Sequence, residues 1–135
     1  MAGEQLYNRY SKLKYIAENE FKNIVDTTSF IGGKASAPNK LRIKFIDNSF
    51  LDIWLSLDED YSYHWEHRAQ RGLIHRWDNA PDHPELRTFP KHFHNGSERK
   101  VTESELDEDG EKAIRAVLSF VQSKLAESRW GLPGG

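Results

Sequence analysis

Six imidazoles crowd into one short stretch of this chain, at His64, His67, His75, His83, His92 and His94, and no histidine lies elsewhere. The neutral ring gives or takes a proton near physiological pH, and it is also a common metal ligand. The densest part reads His75-Arg76-Trp77-Asp78-Asn79-Ala80-Pro81-Asp82-His83-Pro84, then Thr88-Phe89-Pro90-Lys91-His92-Phe93-His94. Pro81, Pro84 and Pro90 fix φ and lower the entropy cost of holding a loop in one shape. Such a segment can keep imidazoles at set distances from strand side chains.

Three chemistries suit these residues. In the first, His92 and His94 act as general acid and base, with Asp78 and His83 orienting the loop. Arg76, Arg87 and Lys91 then hold phosphate. That set fits metal-free RNA cleavage: one imidazole takes the 2′-OH proton, another protonates the leaving oxygen, and a guanidinium stabilises the phosphorane. In the second, His83, His92 and His94, with Asp82 or Asp78, bind a divalent metal such as zinc. No His-Glu-x-x-His or other tight zinc spacing is present, so the expectation is no metal and no cofactor. In the third, the histidines are structural: His75 a hydrogen-bonded core residue between Leu73 and Trp77, His67 a surface residue near a hairpin tip.

The elements that must position these groups follow from hydrophobic period. Leu6, Tyr10, Leu13 and Ala17 mark one face of a helix over residues 4–19. Residues 21–31 read as a strand, and Gly32 to Asn39 as a turn-rich loop. Leu41, Ile43 and Phe45 alternate with polar residues, as do Leu51, Ile53 and Leu55, then Tyr61, Tyr63 and Trp65, and a further strand covers Leu73–Asn79. Short connectors favour an antiparallel meander. The covered face takes the apolar rows with Leu73, His75 and Trp77. The open face takes Arg42, Lys44, Asp52, Trp54, His64, Glu66, Arg76 and Asp78. There Trp54 is a packing residue or a base-stacking platform, and His64 a neighbour for substrate. Residues 80–100 show no clean period and read as a long functional loop. Ile114, Val117, Leu118, Val121 and Leu125 mark a helix over 109–128, with acidic residues 102–111 as its solvated start. Residues 130–135 read as a flexible tail.

The predicted fold is therefore α+β: one curved antiparallel sheet of about five strands, with N- and C-terminal helices over one face. At 135 residues the chain suits a single domain, 1–135. With no cysteine, disulfides and thiol nucleophiles are excluded. The net charge of -2 lends no support to a general nucleic-acid coat. No signal-peptide pattern and no membrane-spanning run is seen, so a cytoplasmic protein without membrane contact is expected.

The stretch Tyr61 to Glu98 resembles the TumE family of toxins from prokaryotic toxin–antitoxin pairs. The resemblance rests on Tyr63-His64-Trp65, Arg76-Trp77-Asp78-Asn79-Ala80-Pro81, His83-Pro84, Thr88-Phe89-Pro90, His92-x-His94 and Gly96. Lys91 stands where many relatives carry a further histidine. The resemblance implies a functional set of Asp78, Asn79, His83, Thr88, His92 and His94. It also implies a cytoplasmic prokaryotic protein whose partner is a small helix-turn-helix DNA-binding antitoxin. Joined to the residue chemistry, it gives the leading expectation, a toxin acting as a metal-independent endoribonuclease on RNA. Arg87, Lys91, Asn79, Thr88, His64 and Trp54 would contact substrate. The alternatives are a non-catalytic module whose histidine loop docks a protein partner and a metal-dependent hydrolase. The oligomeric state is left open.

Overall fold

A computed structural model describes residues 2–131. The chain runs α1 (Ala2–Glu20), β1 (Val25–Lys34), β2 (Ala37–Phe45), β3 (Phe50–Leu55), β4 (Tyr61–His67), α2 (Arg68–Arg71), β5 (Leu73–Asp78), β6 (His92–Gly96), β7 (Val101–Glu103) and α3 (Gly110–Gly131). The strands form one antiparallel sheet in chain order, β1 to β7. The α+β class and the meander match the sequence expectation, but the sheet has seven strands and not about five. The two extra strands lie within and just beyond residues 80–100, where a loop was expected. Pro90 and Gly96 bracket β6 so closely that its alternation spans only a few residues, and β7 is three residues of Val-Thr-Glu.

The register keeps one apolar row on one face. Leu41, Ile43 and Phe45 of β2 join Leu51, Ile53 and Leu55 of β3 and Tyr63 and Trp65 of β4. They share a core with Tyr10, Leu13, Ile16 and Ala17 of α1 and with Ile114, Val117, Leu118 and Val121 of α3. A one-residue slip would turn every one of these side chains to the other face. Tyr10 fixes α1 to the sheet: its hydroxyl donates to the Asn39 carbonyl at 2.9 Å and accepts from the Leu55 amide at 2.9 Å.

Several local expectations are corrected. Gly32 to Asn39 is a hairpin: β1 runs on through Gly32 and Gly33, and only Ala35-Ser36 turns. Gly33, at φ +67, needs to be glycine, since a Cβ there would meet the Ala37 carbonyl oxygen at 2.5 Å. Leu73 begins β5 half-exposed at the sheet margin, not in the core. Only the end of the acidic block starts a helix. Its first residues belong to β7 and most of the rest form a linker, while Asp109 caps α3 by accepting the Lys112 amide at 3.1 Å. The backbone of α3 continues to Gly131, and the remaining expected tail, residues 132–135, lies outside the described residues.

His67 is the clearest reversal. Expected on the surface, it is fully buried, stacked on Trp65 with ring centroids 3.6 Å apart. It joins the buried His75, whose core placement was expected. Arg71 Nη1 donates to His67 Nδ1 at 3.2 Å, so His67 Nε2 carries the proton and donates to His75 Nδ1 at 2.8 Å. Both rings are held neutral, His67 near pKa 3 and His75 near 4, chiefly because burial penalises the charged form. Among the described residues, no helix is long and apolar enough to cross a membrane.

Candidate functional site

Strand register alone assembles most of the site on the face opposite the helices. Asp52 pairs with His64, His64 with Arg76, and Arg76 with His94, so these side chains form one row across β3 to β6. A second row runs Ser62, Asp78, His92 across β4 to β6. The segment between β5 and β6 seats His83 against both histidines of β6. Its ring centroid lies 4.7 Å from that of His92 and 6.1 Å from that of His94, and the latter two are 4.9 Å apart. One ring nitrogen from each of the three falls within 4.8 Å of the others.

Asp78 is the hub of the pocket. Its Oδ1 accepts the Ala80 amide at 3.0 Å, which turns the chain into the loop, and lies 3.0 Å from His92 Nε2. Its Oδ2 accepts from Arg76 Nε at 3.0 Å and lies 3.7 Å from His94 Nε2. The far nitrogens of both β6 rings are tied to main-chain carbonyls: His92 Nδ1 donates to Pro90 at 3.1 Å, and His94 Nδ1 to Glu98 at 2.9 Å. Arg76 Nη2 donates to His94 Nε2 at 3.2 Å. His94 is therefore a neutral ring with its proton on Nδ1. Burial lowers its pKa, which the hydrogen bond to the Glu98 carbonyl opposes and the Arg76 charge reinforces.

Exposure grades the three rings. The side chain of His92 is 1% exposed, that of His94 7% and that of His83 29%. His83 is the ring most open to solvent, and His92 is almost fully buried. From sequence, all three rings are acid–base candidates, with His92 and His94 leading and His83 orienting the loop.

Arg76 belongs to the pocket but is occupied. Its two Nη atoms meet the Glu98 carboxylate at 2.7 and 2.6 Å, and its Nη1 lies 3.3 Å from His64 Nδ1. Glu98 in turn is held below the usual carboxylate range by the Arg76 hydrogen bond. Sequence reasoning gave Glu98 no role, since an acid two residues beyond a glycine carries no signal without the β6 turn that folds it back.

Most other expected site residues have their partners away from the pocket. Arg87 pairs with Glu103 at 3.2 Å and with Glu105, and Lys91 donates to the Leu106 carbonyl at 3.0 Å. Both face the linker after β7. Asn79 accepts the Tyr61 amide at 3.0 Å and donates to the Glu59 carbonyl at 3.1 Å, clasping the start of β4. Thr88 hydrogen-bonds the Lys91 carbonyl and the Ser104 amide, at 2.8 and 3.0 Å. These last two shape the loop. Trp54 is exposed on β3, as expected, opposite Ser62.

The family model described as Toxin TumE matches residues 12–125 of the chain. That span takes in the second half of α1, where the sequence offers no motif of the family, and most of α3. No curated protein matches the chain. No solved structure matches it either. With the match spanning most of its length and the His-x-His strand, the Asp78 hub and the His83 loop inside it, this chain belongs to the TumE family of toxins.

Proposed function

We propose that this toxin of a toxin–antitoxin pair is a metal-independent endoribonuclease working at the His83–His92–His94 pocket. The observation that carries the reading is the edge-packed cluster of three imidazoles of graded exposure, two of them beside the Asp78 carboxylate, with a guanidinium alongside. His83 meets the substrate and gives a proton to the leaving 5′-oxygen, and neutral His94 takes the 2′-OH proton on Nε2. His92, held between Pro90 and Asp78, is a positioning residue that fixes the carboxylate. Arg76 faces the scissile phosphate once the phosphate displaces Glu98, a carboxylate whose side chain is 53% exposed and able to swing out. His64 and Trp54, on the same sheet face, extend the surface for the flanking nucleotides. Attack by the 2′-OH leaves a 2′,3′-cyclic phosphate and a free 5′-OH. Arg87 and Lys91 contact RNA beyond the pocket. The partner is a small helix-turn-helix antitoxin, and the site of action is the cytoplasm.

The test is induction of the chain in a bacterial host without an antitoxin. Growth should stop, and cellular RNA should show new ends carrying 2′,3′-cyclic phosphate. Growth arrest with intact RNA would favour the alternative of a non-catalytic module that disables a protein partner.

A further inference from the structure

The same pocket has the build of a transition-metal site. Two β6 imidazoles turn their Nε2 atoms toward one carboxylate, at 3.0 and 3.7 Å, while their Nδ1 atoms are anchored to main-chain carbonyls. Anchoring the far nitrogen to a carbonyl is the outer-shell arrangement that fixes the tautomer and orientation of metal-ligating histidines. On the loop above, His83 Nδ1 lies 3.6 Å from the Glu85 carboxylate, which leaves its other nitrogen as the ring's free donor. One ring nitrogen from each of the three already lies within 4.8 Å of the others, and the 3.2 Å bond from Arg76 to His94 Nε2 must open for that lone pair to ligate. Three imidazoles with a fourth position open to solvent suit zinc, which takes nitrogen ligands at about 2.0–2.1 Å.

We propose that the pocket binds one divalent transition-metal ion, zinc as the representative, through His83, His92 and His94, with Asp78 as the adjacent anionic group. The sequence offered these three histidines as one of several readings without a recognisable zinc spacing, because two ligands come from alternate residues of a strand and the third from a separate loop. The inference deepens the reading above and rests on it only for its effect on activity. With their nitrogens ligated, the imidazoles cannot shuttle protons, so zinc blocks the metal-free reaction and a chelator restores it.

The experiment uses the purified full chain, stripped with a chelator and then titrated with zinc chloride under equilibrium dialysis. One ion per chain is expected, and X-ray absorption at the zinc edge should count three nitrogen ligands. His83→Ala, a change in the loop that leaves the sheet intact, should weaken binding by at least about tenfold, the lower end of what losing even an outer-shell partner costs. Stoichiometry well below one, a shell without imidazole, or wild-type affinity in His83→Ala would overturn the inference. RNA cleavage on the same samples separates the two claims. Cleavage in chelator by a chain that takes up no zinc on titration defeats the metal site alone. Bound zinc with intact RNA under every condition defeats the ribonuclease reading alone. Cleavage only when zinc is present keeps the site and defeats the metal-free mechanism.

Discussion

Asp78 Oδ1 and His92 Nε2 lie 3.0 Å apart across the β5–β6 ladder, and their carboxylate–imidazole contact is almost entirely hidden from water. Register fixes this contact, since Asp78 and His92 are direct partners. Everything else in the pocket is arranged around it: Arg76 and Ala80 donate to the same carboxylate, and His83 and His94 pack against the same ring.

Removing the carboxylate should therefore cost stability as well as activity. Asp78→Ala leaves Arg76, the Ala80 amide and His92 without their shared partner, and should destabilise the chain by about 3 kcal/mol. Urea unfolding measures it. A loss below about 0.5 kcal/mol would mean that the contact is not formed in solution.

Toxicity should follow the β6 pair. His92→Ala combined with His94→Ala should relieve growth arrest at equal protein level. Undiminished toxicity in a folded double mutant would remove both rings from the mechanism.

Glu98 sits where a phosphate must go. Glu98→Gln frees Arg76 of its strongest competitor and should lower KM for RNA several-fold. It should also steepen the salt dependence of binding, as one more cationic group becomes available to the backbone. An unchanged KM would show that Arg76 does not meet phosphate.

The buried His67–His75 pair gives a pH signature of its own. Both folded pKa values, about 3 and about 4, lie below the ordinary value of 6.5. Between pH 6.5 and 4 the unfolded chain binds more protons than the folded one, so stability rises with pH across that range. The pair's contribution is fully present above pH 6.5 and is lost as pH falls toward the folded values. Denaturant unfolding at pH 7, 6, 5 and 4 should show the midpoint falling below pH 6.5. His75→Leu should show a shallower fall. A midpoint that does not change from pH 7 to 4 would contradict the buried neutral pair.

Much of this fold was legible because β2 to β4 alternate cleanly and α1 and α3 carry clear helical stripes. Leu51, Ile53 and Leu55 declared their face from sequence, and the open-face placement of His64 and Arg76 followed from the same register. What stayed hidden depended on tertiary return. Gly32 and Gly33 read as loop because a ribbon was not foreseen. His92 and His94 read as loop because Pro90 and Gly96 crowd a short strand. His67 read as surface, since nothing local announces a partner in the next strand. Arg87 and Lys91 were read from charge alone, and charge does not announce their partners at and after the last strand. Asp78, by contrast, was found by its company in sequence, and its company in space proved richer.

The most direct measurement of the central claim is RNA cleavage by the purified chain in excess EDTA, with His83→Ala and His94→Ala variants alongside. The account predicts fragments ending in 2′,3′-cyclic phosphate from the wild type, and a loss of at least about 100-fold from each variant, the scale of one acid–base group. Intact RNA at concentrations that arrest growth in the cell, or equal cleavage by the folded variants, would contradict it.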